Sequence, residues 1–227
     1  LIVLFLLLAK KGKMKDGISK TPSRNKENTR QRLLDAVGEI LRSEGYQALK
    51  VNQIAATAGL DKKLIYNYFG SKDNLVGEYI NSKDFWSNVK ADSIPADFSD
   101  GGKNFTIEVL LQQFDFVRTS AELQKVLLWR LSEEQPFLRL MTQNQENVGE
   151  ELFKHVMDPY FGKNAQDYRA ITAILVAGIY YLNLYASHNG SIFCGIDLGE
   201  TAGREKIRQA LSFLIHKTYE GLQDEPK

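Results

Sequence analysis

Apolar residues recur at helical spacing through Leu33, Leu34, Val37, Ile40 and Leu41 until Gly45 interrupts them, which predicts an amphipathic helix of about four turns beginning near Asn28. Two shorter segments follow, VNQIAATA closed by Gly59 and KKLIYNYF closed by Gly70, each reading as a brief helix ended by a glycine. Ser71 then stands as an N-cap, with Asp73 in the first turn and Leu75, Val76, Tyr79 and Ile80 as the apolar series of the next helix. The stretch ADSIPADFSDGG reads as a loop, and helical patterns follow near residues 104–118, 120–133, 136–158, 165–188 and 200–220. Breaks are expected at Pro136, at Pro159 with Gly162, and between Gly190 and Gly199. No run alternates with the period of a strand, so the fold class is all-α.

Charge divides this pattern into two parts. Residues 10–83 hold 15 Lys and Arg against 8 Asp and Glu, and residues 84–227 hold 14 against 20. A basic front end on an acidic remainder suits a polyanion-binding module carried by a larger domain, although a solvated basic face gives the same count. The expected organisation is an arm over residues 1–27, a small domain over 28–75, a larger helical domain over 76–220 and a tail over 221–227. Cys194 is the single cysteine, which excludes an intramolecular disulfide and a cysteine-based metal site and suits a reducing, cytoplasmic setting. The opening LIVLFLLLA is half the length a membrane span needs, and the positive cluster follows it where an export signal would have it in front. With Met14 downstream, a start assigned too early explains this run; a short membrane-dipping tail is the alternative.

The segment 51–69 carries the most specific constellation. Ala55 stands four residues before Gly59 and ten before Ile65, the arrangement a helix-turn-helix needs. A small residue lets the second helix cross close above the first, a glycine takes the left-handed turn, and an apolar residue fills the gap beneath the recognition helix. Ile54, Ala58 and Leu60 supply the other inward positions. Leu64, Ile65 and Phe69 facing wholly or partly inward leave Lys62, Lys63, Tyr66, Asn67 and Tyr68 toward a DNA groove and its edges, with Lys72 just beyond to grip the backbone. Asn67 can read an adenine edge through its amide. Either tyrosine equally suits packing against the first helix, and Asn67 suits a solvated position.

Residues 30–80, RLLDAVGEILRSEGYQALKVNQIAATAGLDKKLIYNYFGSKDNLVGEYI with its flanks, resemble the DNA-binding domain of the TetR family of bacterial transcriptional repressors. The residues that carry the resemblance are Gly45, Ile54 with Ala55, Ala58 with Gly59, Ile65 with Tyr66, Phe69, and Ser71, Lys72, Asp73 and Leu75. Lys50 stands where the family usually has a capping Thr, so either Asn52 caps the second helix or the lysine replaces a hydrogen bond to phosphate with a charge. Asp61 fills a turn position often held by Ser, and Lys63 and Leu64 fill positions that are commonly small, so Lys50, Asn52 and Leu64 join the DNA-contact candidates.

The resemblance implies that the later helices bind a small-molecule effector and dimerise through the last two. Ala170, Ala173, Ala177 and Gly178 would allow close helix approach, with Ile171, Ile174, Leu175 and Leu182 providing burial. On the last helix the matching stripe is Ile207, Ala210, Leu211 and Leu214, with Ile215 at its edge; intramolecular packing is the other reading of both sets. Trp86 and eight other aromatic residues make this part suited to lining an apolar cavity, and Trp129, Tyr181 and Tyr185 are named as pocket candidates. The function implied is a sequence-specific repressor released from a palindromic operator by an effector, with double-stranded DNA and a second copy of the chain as partners, no membrane, no metal and no cofactor. The rival readings are an enzyme or a protein-interaction adaptor that keeps the helix-turn-helix for packing. The enzyme lacks parts: Glu151 with His155 is spaced i,i+4 where a bundle di-iron site would use two Glu-x-x-His units, and no nucleophile-elbow, Walker or dinucleotide motif occurs. Cys194 is expected to be buried, a redox-sensing thiol being the other reading.

Overall fold

The computed structural model describes residues 24–83, 95 and 97–222. The opening apolar run, most of the expected arm, Trp86, and residues 223–227 of the tail lie outside the described residues. The fold is all-α, with two compact units among the described residues: one takes residues 24–83 with Ser120–Gln145, the other residues 97–119 with 146–222.

In the first unit, α1 (Arg24–Ser43) packs against α2 (Val51–Ala58), α4 (Lys72–Lys83) and α6 (Ala121–Ser132), while α3 (Lys63–Phe69) packs against α4. The apolar series of α1 is its buried face, for Leu33, Val37 and Leu41 are fully enclosed. Gly38 on that face allows close approach of α4: a Cβ there would fall 2.2 Å from the Tyr79 hydroxyl oxygen. That hydroxyl lies 3.5 Å from Glu122 Oε1, which accepts from Arg42 at 2.7 Å. Burial, with the Glu122 carboxylate adding to it, pushes the Tyr79 phenol up to about 12. For Glu122 burial opposes ionisation, but the hydrogen bond from Arg42 wins and holds the carboxyl below its usual range.

Residues 120–145 thus contribute to the core of the unit that holds the helix-turn-helix. Trp129 on α6 stacks on Tyr46 at 4.8 Å and meets Phe137 edge-on at 5.4 Å. Ser120 caps α6 by accepting from the Leu123 N–H, and α7 (Pro136–Leu152) buries Leu138 and Met141.

The second unit is built on α5 (Lys103–Thr119), α9 (Ala165–His188) and α10 (Thr201–Leu222), which pack on one another. Pro159 does not end the preceding helix as expected. The chain widens into a π turn over Phe153–Met157 and continues as α8 (Asp158–Phe161) to Gly162. Pro159 has no N–H for the His155 carbonyl, and a widened turn accommodates that loss. Inside, the Tyr219 hydroxyl lies 2.9 Å from the Gly101 carbonyl and 3.2 Å from the Tyr168 hydroxyl, itself 2.9 Å from Thr106 Oγ1. Burial raises both phenols, so they stay protonated links between α5, α9 and α10.

Among the described residues, one short hairpin departs from the all-helical pattern: Ile192–Phe193 pairs antiparallel with Ile196–Asp197. Cys194 and Gly195 form its two-residue loop, both with positive φ, 49° and 76°. A cysteine is rarely the first residue of such a turn, which hid the hairpin in the sequence. The same geometry makes Cys194 exposed, correcting the expectation of a buried thiol.

Candidate nucleic-acid interface

The turn between α2 and α3 is held by local bonds that the sequence specifies. Gly59 takes the left-handed conformation, φ 62° and ψ 40°, and the N–H of Leu60 reaches back to the Ala55 carbonyl at 3.0 Å. Asp61 then accepts from the N–H of Lys63 at 2.7 Å, so its carboxylate caps the start of α3. Ile54, Ala55 and Ala58 on α2 and Ile65 and Phe69 on α3 are all buried in one core. With that face inward, Lys62, Lys63, Asn67 and Tyr66 are exposed, the last at 53 %. Lys50 and Asn52 are exposed at the start of α2. Lys50 is the N-cap residue there and makes no side-chain cap bond, so the charge, not a capping hydroxyl, is what this end of α2 presents.

Three candidates sit differently. Leu64 is half-buried against the core, as its position predicts. Tyr68 is also half-buried: its ring packs on the core with the Lys26 ammonium 5.9 Å from its centroid, which ties it to α1. Lys72 pairs with Asp73 at 3.1 Å, a surface pair weak enough to exchange for a phosphate. Ser71 caps α4 by accepting from the Asn74 N–H at 3.0 Å.

Sequence reasoning missed two arginines of α1 that brace this motif. Arg30 lies over the Phe69 ring, 4.9 Å from its centroid, and pairs with Glu78. Arg32 donates through Nη2 to the carbonyls of Ala58 at 2.7 Å and Gly59 at 3.3 Å. In the sequence both were part of a general positive charge, and nothing local distinguishes a brace from a phosphate contact.

Residues 33–79 match the family described as bacterial regulatory proteins, tetR family. The match covers the segment that holds the helix-turn-helix. Among solved structures it is similar to a TetR-like transcriptional regulator from Rhodococcus sp. RHA1, at 18 % identity and a TM-score of 0.55 over 85 % of this chain and 96 % of that one, a likeness of fold. No curated protein matches the chain. The helix-turn-helix of this chain is therefore similar to the DNA-binding segment of bacterial regulatory proteins of that family.

The effector-pocket candidates fall in different units. Trp129 is 4 % exposed in the core of the DNA-binding unit, whereas Tyr181 and Tyr185 lie on α9 against Phe193 of the hairpin, at centroid distances of 5.6 and 5.0 Å. Tyr181 is 55 % exposed. Of the expected interface, Ile174, Ala210 and Leu214 are exposed, and Ile171, Gly178, Leu182 and Ile207 are partly so. Leu175 and Leu211 instead face inward, in the core of their own unit. The helix α9 is apolar around much of its circumference, so spacing alone left its inward face undetermined. Phe213, missed in the sequence, joins the outward face at 59 % exposure.

Proposed function

We propose that this regulator is a repressor that reads a palindromic operator as a homodimer and leaves it when a small molecule binds the second unit. The observation that carries the reading is the outward face of α3, where Lys62, Lys63, Tyr66 and Asn67 stand exposed while Ile65 and Phe69 anchor the helix from behind. Lys62 and Lys63, with Lys50 and Lys72 at the flanks, neutralise phosphates and set register; Tyr66 and Asn67 meet base edges. Tyr68 contributes by holding α3 to α1.

Dimerisation is supported by the apolar surface that α9 and α10 leave exposed: Ile174, Tyr181, Phe213 and Leu214, beside Ala170, Ala173 and Ala177. By length and composition the helical stretch Pro136–His188, which ends with α9, is apolar enough to cross a membrane. A second copy suits it better, because α9 also carries Tyr168 and Asn183, hydrogen-bonded within a protein core. Two copies would present recognition helices to half-sites about 34 Å apart, in the cytoplasm where the DNA is.

Effector binding is supported by a polar group with unused capacity. Gln113 on α5 is 1 % exposed and donates through Nε2 to the Tyr180 hydroxyl at 2.6 Å, while its Oε1 has no partner among the described residues. A buried carbonyl without a donor is costly, so an effector bringing an N–H or O–H gains from it. Release follows if the effector favours a conformer whose recognition helices no longer fit the half-sites, by no more than its differential affinity.

The test is selection from a pool of random duplexes at about physiological salt, with Lys63→Ala and Tyr66→Phe in parallel. A palindrome should be enriched, Lys63→Ala should weaken every sequence, and Tyr66→Phe should change preference or affinity. Enrichment of no motif refutes sequence reading by this face.

A further inference from the structure

Arg32 is exposed on α1, yet its guanidinium is engaged by the helix-turn-helix itself. Its Nη2 donates to the carbonyls of Ala58 and Gly59. These belong to the end of α2, where a helix leaves carbonyls to be satisfied from outside and where a positive charge is favoured. They also flank the pivot of the motif. The peptides on either side of Gly59 set the direction in which the chain leaves α2, and α3 begins only four residues later, at Lys63. The guanidinium is packed close to that pivot: a Cβ on Gly59 would lie 3.1 Å from Nη2.

We infer that Arg32 is a positioning residue for sequence-specific DNA binding: by holding both carbonyls of the turn it fixes the angle at which Tyr66 and Asn67 meet the bases. The inference rests on the DNA-reading face proposed above. Removing Arg32 leaves the apolar anchors Ile54, Ile65 and Phe69 in place, and the two carbonyls, which lie at or near the surface, turn to water. The unit still folds, but the pivot gains freedom, and that freedom falls on base readout more than on attraction to the backbone.

The experiment compares the full-length wild type, Arg32→Ala and Lys63→Ala in selection from random duplexes. Affinities for the enriched palindrome and for an unrelated duplex are then measured between about 50 and 200 mM salt. For Arg32→Ala the palindrome should bind about tenfold more weakly, as for one lost charge-assisted contact, with the unrelated duplex and the salt slope unchanged. Lys63→Ala should lower the slope by about one, as a lost phosphate contact does. If Arg32→Ala lowers the slope by about one and weakens both duplexes alike, Arg32 is a phosphate contact and the inference is overturned. An unchanged motif and affinity overturn it as well. If Arg32→Ala loses its cooperative melt, the same readings on Arg32→Lys decide between the same outcomes. Failure of the wild type to enrich any motif is a separate result that removes the DNA-reading proposal and this inference with it.

Discussion

Substituting Gly38 by alanine puts two large effects in opposition at one site. In an open helix the change is favourable by about 1 kcal/mol, because alanine loses less backbone freedom than glycine. At Gly38 the new methyl would lie 2.2 Å from the Tyr79 hydroxyl oxygen, 2.6 Å from Cζ and 2.9 Å from Cε2. These are atoms of a rigid ring that is 5 % exposed, so the ring must shift within the core and draw its hydroxyl from Glu122. Overpacking costs about 1–3 kcal/mol, and an approach of 2.2 Å to a rigid buried ring puts this site at about 2–3, which exceeds the gain in propensity and leaves Gly38→Ala destabilising by about 1–2 kcal/mol. With Tyr79→Leu the ring is gone, and the same alanine should stabilise by up to about 1 kcal/mol. The sign change is the prediction, read from urea melts of the four proteins of the cycle followed by circular dichroism. An equal loss in the Tyr79→Leu background, or a stabilising Gly38→Ala in the wild type, would refute the claim that the Gly38–Tyr79 approach decides the residue.

The remaining expectations use other contacts. Because burial pushes the folded Tyr79 phenol up to about 12 against about 10 in the unfolded chain, stability is unaffected below pH 10 and falls through the window from 10 to 12 by about 2–3 kcal/mol; urea melts should show wild type losing that much relative to Tyr79→Phe, and parallel curves would contradict it. Arg204, 6 % exposed, donates to Asn183 Oδ1 at 3.2 Å and the Phe114 carbonyl at 3.1 Å and lies 4.0 Å over the Phe114 ring. Arg204→Ala should therefore cost about 2–4 kcal/mol, and a thermal melt within a degree or two of wild type would contradict it. On α9, Ile174→Asp should yield a folded monomer in sedimentation, whereas Leu175→Ala should leave self-association intact and destabilise by about 2–4 kcal/mol; reversal of these two outcomes would invert the assignment of the helix faces.

What could be read from the chain alone was everything governed by neighbours within about one helical turn. Gly59 in the left-handed region, Asp61 capping α3, Ser71 capping α4, and the inward positions Ile54, Ala55, Ile65 and Phe69 all depend on spacings of a few residues. Their physics is local, so the helix-turn-helix and its exposed face followed from residue order. Tertiary structure decided what depends on partners distant in sequence. Trp129 is a core residue because Tyr46 lies flat against it, and Arg32 is a brace because the carbonyls of Ala58 and Gly59 are within its reach. Leu175 and Leu211 turn inward, and Ile174 and Phe213 outward, because α5, α9 and α10 pack together in one rotational setting. A helix that is apolar around most of its surface carries no record in its own periodicity of which side its neighbours will cover.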